Sequence, residues 1–175
     1  MRHHCVDTMT EDPPTGTGRS PLSGVEALFR ERYGPMVSLA YLLVRDGALA
    51  EELVQDAFLA VQRRWQSIDD PPAYLRTAVV NACRTWGRRQ KVRREHVATL
   101  APETAPSADQ LADELWDALA TLPERQRTAV VLRYYEDASD DDIAAVLDCR
   151  PATVRTTLHR ALKALRPHLI PEANR

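Results

Sequence analysis

Three consecutive aspartates, Asp140, Asp141 and Asp142, are the residues whose types most readily suggest chemistry, because clustered carboxylates bind divalent cations and transfer protons. Their position suggests a different role. Ser139 precedes them where a helix N-cap belongs, and Asp142 stands three residues later, where it completes a capping box. The helix dipole favours carboxylates in the first turn, and adjacent side chains there point away from one another. The sequence therefore predicts helix capping rather than a metal or catalytic site.

Three other potential metal ligands, His3, His4 and Cys5, lie together near the N-terminus. They belong to residues 1–23, a segment rich in Pro, Thr, Gly and Ser that we predict to be a flexible tail without a metal. The sequence also lacks a glycine-rich phosphate loop and a nucleophile–base pair. Neither an enzyme nor a cofactor is therefore expected.

Cysteine use and hydropathy indicate the compartment. Cys5, Cys83 and Cys149 are far apart, which argues against a disulfide framework and indicates a reducing environment. No apolar run approaches the ~18–20 residues that a membrane span needs. The first residues also lack the apolar core of a signal peptide. These features predict a cytoplasmic protein that does not contact a membrane.

The charge distribution is more informative than the net charge of −2. Residues 24–95 carry 12 basic and 9 acidic residues, and residues 125–175 carry 9 basic and 7 acidic ones. Between them, residues 96–124 carry 6 acids and neither Lys nor Arg. Two mildly basic blocks therefore flank an acidic connector, and the basic blocks are where a nucleic-acid partner is expected.

Helical periodicity divides the chain into two domains. Apolar residues recur at three- and four-residue steps in three segments between Val25 and Trp86, separated by the turn signals "RDGA" and "SIDDPP". They predict a three- to four-helix bundle over residues 24–95. An acidic, proline-containing linker is predicted at 96–108, and a second helical bundle at 109–168 precedes a short tail, 169–175. The expected fold class is all-α.

The second bundle contains a helix-turn-helix pattern. "DDIAAVL" is a short helix, "DCR" is a tight turn with Asp148 in a left-handed conformation, and Pro151 opens the next helix. Five apolar residues of that helix are expected to face inward: Val154, Leu158, Ala161, Leu162 and Leu165. The outward face carries Thr153, Arg155, Thr156, His159 and Arg160. This face predicts binding to duplex DNA, and the alternative is a helical hairpin with a solvated basic face.

The third helix of the first bundle is also basic. Its candidate binding residues are Asn81, Arg84, Trp86, Arg88 and Arg89. Cationic side chains combined with an aromatic ring and an amide suit a displaced single strand, whose bases stack or are pulled out. The alternatives are core packing for Trp86 and a solvated helix end for the arginines.

Three segments resemble the extracytoplasmic-function sigma factors, the small two-domain members of the bacterial sigma-70 family. They are "FRERYGPMVSLAYLLVRDGALAEELVQDAFLAVQRRW", "PPAYLRTAVVNACRTWGRR" and "ALATLPERQRTAVVLRYYEDASDDDIAAVLDCRPATVRTTLHRALKALR". Together they cover nearly all of residues 25–167, in family order and spacing. The "AYLL" and "RYYED" segments look most like the subgroup common in actinobacteria.

The resemblance implies a function that spacing alone does not show. Family members bind core RNA polymerase, direct it to promoters and help to open the DNA. The positions that match the polymerase-binding face are Glu52, Gln55 and Asp56; from their chemistry alone they would be a solvated helix face. The third helix matches the reader of the single-stranded −10 element. The outward face of the helix-turn-helix matches the reader of the duplex −35 element.

Many family members are restrained by an anti-sigma protein, so the resemblance also makes such a protein a candidate partner. The alternative function is a stand-alone helix-turn-helix regulator with a helical effector domain. The two hypotheses differ at Glu52, Gln55 and Asp56, since a repressor has no need of that face. Arg150 and Thr157 depart from the residues that are frequent in the family, so the bases read at the −35 element do not carry over.

Overall fold

The computed structural model describes residues 21–96 and 110–169, and every regular element in those two ranges is helical. The predicted all-α class is confirmed for this part of the chain. In chain order the elements are α1 (Pro21–Val44), α2 (Gly47–Arg64), a 3-10 turn (Trp65–Ser67), α3 (Pro71–His96), α4 (Gln110–Ala120), α5 (Glu124–Tyr134), α6 (Asp140–Leu147) and α7 (Pro151–Leu169). Residues 21–96 are called the N-terminal bundle below, and residues 110–169 the C-terminal bundle.

The helix ends differ slightly from the predicted domain boundaries. α1 begins at Pro21, so the last three residues of the predicted tail, 1–23, are helical. α3 continues to His96, the first residue of the predicted linker, and α7 continues to Leu169. The remainder of the predicted tails and linker lies outside the described residues: 1–20, 97–109 and 170–175.

Local signals explain where the helices of the N-terminal bundle begin. Asp46 caps α2, because its side chain accepts a hydrogen bond from the Leu49 backbone N–H at 3.0 Å. Pro71 opens α3, where a missing backbone N–H leaves no helical carbonyl unpaired. The turn predicted at "RDGA" is present, but its left-handed residue is Arg45, with φ of 53°, and Gly47 is the first residue of α2.

Each bundle encloses an aliphatic core. In the N-terminal bundle, Met36, Leu39, Val54, Val61, Leu75 and Val79 are completely buried. In the C-terminal bundle the largest fully buried side chains include those of Leu132, Ile143, Leu147 and Val154. Removing apolar surface from water contributes roughly 25 cal/mol per Å², so these two cores supply most of the driving force for folding.

The helix-turn-helix of the C-terminal bundle forms as predicted. Asp148 adopts the left-handed conformation, with φ of 50°, and its backbone N–H is shared by the carbonyls of Ala144 and Ala145. The Cys149 N–H donates to the Ala144 carbonyl at 3.0 Å. Pro151 then starts α7. The turn is therefore closed by hydrogen bonds to the end of α6, which fixes the direction of α7.

The prediction that Leu162 of α7 belongs to the core is wrong. Leu162 is 39% exposed, whereas Val154, Leu158, Ala161 and Leu165 are buried as expected. Leu162 lies at the edge of the apolar stripe, where a helix with a narrow buried face leaves a side chain in water.

Ion pairs join the two bundles. α1 lies against α5, and α3 lies against α6. Four arginines of the N-terminal bundle pair with acids of the C-terminal bundle: Arg32 with Glu136 at 2.7 Å, Arg45 with Asp117 at 2.7 Å, Arg76 with Asp142 at 3.4 Å and Arg84 with Glu124 at 3.1 Å. Arg45 also lies over the ring of Trp116, 4.2 Å from its centroid. The contact between the bundles therefore combines these ion pairs with a buried apolar cluster that is continuous across both bundles.

Gly24 is required where α1 passes the ring of Trp65. A Cβ at this position would lie 2.9 Å from Trp65 Cε2, closer than packed atoms tolerate, whereas a Cβ at Gly87 in α3 would meet no heavy atom within 4 Å. We expect Gly24→Ala to lower the free energy of unfolding by about 1–3 kcal/mol. We expect Gly87→Ala to raise it by about 0.5–1 kcal/mol. Urea unfolding followed by circular dichroism measures both, and a stabilised Gly24→Ala protein contradicts the packing described.

The Arg32–Glu136 pair predicts how firmly the bundles are held together. Glu136 is 5% exposed, so removing Arg32 leaves a nearly buried carboxylate without its cation. Arg32→Gln should therefore separate the bundles, and small-angle scattering at low ionic strength should give a larger radius of gyration than for the wild type. Arg30→Gln is the control, since Arg30 pairs with Glu26 within α1 at an exposed site. Equal radii for all three proteins would contradict the role assigned to the pair.

Candidate nucleic-acid interface

The five residues predicted to contact duplex DNA lie on the exposed face of α7. Thr153, Arg155, Thr156, His159 and Arg160 are all exposed to solvent. The helix is held from behind by its buried apolar residues, which pack on α5 and α6. An exposed polar face on a rigidly supported helix is the arrangement that enters a major groove.

The three aspartates in the first turn of α6, Asp140, Asp141 and Asp142, make different contacts. The Ser139 hydroxyl accepts a hydrogen bond from the Asp142 backbone N–H, and the Asp142 carboxylate accepts one from the Ser139 N–H, each at 3.1 Å. The predicted capping box is therefore confirmed. Asp141 is exposed, while Asp140 pairs with two arginines, Arg133 and Arg155. In the part of the chain that the structure describes, no group of three or more His, Cys, Asp or Glu side chains is arranged to hold a metal ion.

These contacts shift two carboxyl pKa values in the same direction. The hydrogen bond from Arg155 is the main cause that lowers the pKa of Asp140, and the nearby Arg133 charge adds to it. The Ser139 hydroxyl and backbone N–H lower the pKa of Asp142. Both carboxylates are thus stabilised in their charged form by the groups that surround the start of α6.

The candidate residues of α3 fall into two sets. Asn81, Arg88 and Arg89 are exposed, and Trp86 is partly buried. Arg84 instead faces the C-terminal bundle, and its side chain is 20% exposed. These candidates do not all share one surface in this conformation.

Arg84 is bound to two groups of the C-terminal bundle. Its Nε donates to the Glu124 carboxylate at 3.1 Å, and one terminal nitrogen donates to the Val146 carbonyl at 3.4 Å. Arg84 was predicted to bind DNA because arginines are frequent along this helix. That frequency gives no information about a pairing with Glu124, which lies 40 residues further along the chain.

An open cleft of about 460 Å³ lies at the surface where α2 packs against α3. Glu52 and Asp56 line it from α2, and Asn81, Trp86 and Arg89 line it from α3. Acidic groups therefore face an amide, an indole ring and a guanidinium across one opening. Two of the three predicted polymerase-binding residues and three of the five predicted single-strand-binding residues therefore line one cleft.

Gln55, the third residue of the polymerase-binding set, is exposed and linked to α1. Its side-chain amide donates to the Tyr33 hydroxyl at 3.4 Å. Tyr33 stacks on Phe29, with ring centroids 4.6 Å apart, and Phe29 contacts Phe58 at 5.0 Å. Sequence reasoning missed this aromatic support, although Phe29 and Tyr33 are four residues apart on one helix, the spacing at which side chains meet.

Comparison with known proteins identifies the family. The family description "Sigma-70 region 2" matches residues 28–93, and "Sigma-70, region 4" matches residues 112–165. The RNA polymerase sigma-E factor of Streptomyces coelicolor is 37% identical over 153 residues, which are 83% of this chain and 85% of the relative. The RNA polymerase sigma factor CarQ of Myxococcus xanthus is 36% identical, over 71% of this chain and 76% of the relative.

Solved structures have the same fold. The sigma factor RpoE of Bartonella quintana, crystallised with the anti-sigma factor NepR, matches with a TM-score of 0.74 at 21% identity, over 87% of this chain and 99% of that one. The extracytoplasmic function sigma factor SigJ of Mycobacterium tuberculosis matches with a TM-score of 0.55 at 31% identity, over 82% of this chain and 52% of that one.

The chain therefore belongs to the extracytoplasmic-function sigma factors of the sigma-70 family, the RNA polymerase subunits that initiate transcription. This membership confirms the family resemblance seen in the sequence and favours it over a stand-alone regulator. No helix within residues 21–96 and 110–169 is long and apolar enough to cross a membrane.

The lowered pKa of Asp142 predicts a pH dependence of stability. A carboxyl whose pKa is lower in the folded chain contributes stability above its unfolded pKa, about 3.9, and that contribution is lost as the pH falls through the folded value. Asp142→Asn should therefore lose less stability than the wild type between pH 5 and roughly pH 2.5. Urea midpoints across this range test it, with the exposed Asp141→Asn as control. If the urea midpoint of Asp142→Asn fell with pH as steeply as that of the wild type, the stabilising contact between the Asp142 carboxylate and the cap would be contradicted.

Proposed function

We propose that this sigma factor binds core RNA polymerase through the α2 face formed by Glu52, Gln55 and Asp56. All three residues are exposed, and Gln55 is backed by the aromatic cluster of α1 and α2. An acidic and amide face on a rigid helix complements basic side chains of a partner helix. This set then brings the polymerase to one wall of the cleft between α2 and α3.

The opposite wall receives the displaced strand of the −10 element. The shared cleft is the observation that carries this proposal, since a polymerase bound on α2 lies next to the groups of α3 that suit a single strand. Arg88 and Arg89 neutralise phosphates. Trp86 offers a ring on which a base stacks, a contact worth about 1–3 kcal/mol, and Asn81 hydrogen-bonds a base edge.

The exposed face of α7 reads the −35 element in duplex form. Arg155 and Arg160 supply donors that match the O6 and N7 acceptors of guanine. Thr153, Thr156 and His159 complete the face and contact bases or phosphates. The two bundles thus read two promoter elements, one as single strand and one as duplex.

Arg84 contacts the −10 strand only after the bundles separate. In the conformation described, its donors are directed to Glu124 and Val146. We propose that polymerase binding spreads the two bundles and exchanges these partners for DNA. The Arg84–Glu124 pair suits such an exchange, because phosphate offers the Arg84 guanidinium an alternative charged acceptor.

Regulation and location follow from the same role. RpoE was co-crystallised with NepR, which is described as an anti-sigma factor, and CnrH was solved in complex with the cytosolic domain of CnrY. We propose that an anti-sigma protein also restrains this chain. The site of action is the cytoplasm, where polymerase and promoter DNA lie. The role consists of binding and DNA opening, without a covalent step, cofactor or metal.

The direct test mixes the purified full-length protein with core RNA polymerase, followed by size exclusion and run-off transcription from its own upstream DNA. Co-elution together with a specific transcript supports the proposal and makes the promoter available for mapping. A folded protein that neither co-elutes nor directs transcription would overturn it.

Changing the α2 face should weaken polymerase binding selectively. Gln55→Ala combined with Asp56→Ala removes two exposed groups from that face, so we expect at least a tenfold weaker core affinity, roughly 1.4 kcal/mol, with unchanged thermal stability. The matched control is Gln66→Ala with Asp69→Ala, the same chemical change on the exposed turn after α2. Equal core affinity of the two double variants, measured by fluorescence anisotropy, would contradict the interface.

A further inference from the structure

Arg155, the proposed guanine reader of α7, is held by a carboxylate of α6. Its Nε donates a hydrogen bond to Asp140 Oδ2 at 2.8 Å. The Arg155 side chain is 72% exposed, whereas that of Asp140 is 25% exposed. An arginine this exposed would otherwise sample many rotamers, so the contact restricts where its guanidinium can lie.

The atom that makes the contact is informative. A guanidinium carries one Nε and, at its far end, two amino groups. Pairing through Nε leaves the far end as the part of the side chain that projects into solvent. A bidentate contact to guanine O6 and N7 requires two N–H groups side by side, and a guanidinium held in this way presents such a pair.

Asp140 is itself fixed from the other side. Its second carboxylate oxygen accepts from Arg133 of α5, whose side chain is 28% exposed. Arg133, Asp140 and Arg155 therefore form one chain of charged groups across the three helices α5, α6 and α7. A carboxylate anchored by a second arginine is a better fixed support than an isolated surface acid.

Helix capping does not explain Asp140. The cap of α6 is completed by Ser139 and Asp142, each of which bonds to the other's backbone N–H. Asp141, between them in the first turn, is exposed and makes neither of these contacts. Of the three aspartates, Asp140 is the one directed at the DNA-reading helix.

We infer that Asp140 is a positioning residue for promoter recognition, which orients the Arg155 guanidinium and so sharpens the discrimination of the base that Arg155 reads. The inference rests on the proposed role of Arg155 at the −35 element. Asp140 acts through Arg155 and touches no base itself. Because Asp140 carries a negative charge beside the proposed DNA-reading face, its removal can raise overall DNA affinity, so discrimination rather than affinity is the quantity to measure.

The experiment uses full-length protein assembled with core polymerase and a promoter library whose −35 element is randomised. Transcripts are sequenced to give the preference at each base position for the wild type, Asp140→Asn, Arg155→Ala and the double variant. Arg155→Ala should reduce the preference at its position by about 5- to 150-fold. Asp140→Asn should reduce it by roughly 2- to 10-fold at the same position and at no other, which is the lower part of the range expected for partners in one ion-pair network.

The double variant decides whether Asp140 acts through Arg155. Adding Asp140→Asn to Arg155→Ala should leave the base preferences of Arg155→Ala unchanged, because the side chain to be positioned is gone. If Asp140→Asn lowers stability in general, it does so both in the wild type and in Arg155→Ala, so this effect cancels when the two are compared. Asp141→Asn, which removes the neighbouring charge, should keep the wild-type preference.

The outcomes separate the inference from the proposal beneath it. If Arg155→Ala leaves every preference unchanged, Arg155 is not a base reader and both ideas fail. If Arg155→Ala has its effect but Asp140→Asn has none, Asp140 does not position it. If Asp140→Asn acts equally with and without Arg155, its role is structural and the inference is overturned.

Discussion

The arrangement of the two bundles depends on pairing the charge of Glu136. This carboxylate is 5% exposed, and Arg32 of the other bundle neutralises it at 2.7 Å. A carboxylate buried to this degree is costly without a cation, so the pair holds α1 against the end of α5. The Arg76–Asp142 and Arg84–Glu124 pairs then hold α3 against the same bundle.

The same contact also has features that lower its stability. Buried nitrogens of two of its arginines, Arg32 Nε and Arg76 Nε, lack a hydrogen-bond partner within the described residues. A buried donor without a partner costs about 1–3 kcal/mol, which offsets much of what the ion pairs contribute. A protein that must present two DNA-reading surfaces gains from a contact that is specific in geometry and modest in free energy.

The sequence predicted what depends on neighbours along the chain. The cap at Ser139, the left-handed Asp148 and the start of α7 at Pro151 each follow from local chemistry, and the structure confirms them. It could not predict pairings between helices. Arg84 resembles its neighbours in type, yet packing directs it to Glu124, and Asp140 reaches Arg155 only because the turn folds α7 back across α6. The roles of individual residues in the polymerase and DNA interfaces remain predictions.

The three adjacent aspartates show how position on a helix separates identical side chains. Successive residues are rotated by about 100° around the axis, so Asp140 faces α7, Asp141 faces water and Asp142 turns back onto the cap. The helix dipole favours all three in the same way, which is why a sequence reading assigns them one role. Their distinct functions arise only from what packs beside them. A charged run at a helix start is therefore better understood as several independent contacts that share one favourable field, and the contact between Asp140 and Arg155 is the one that joins this field to the exposed face of α7.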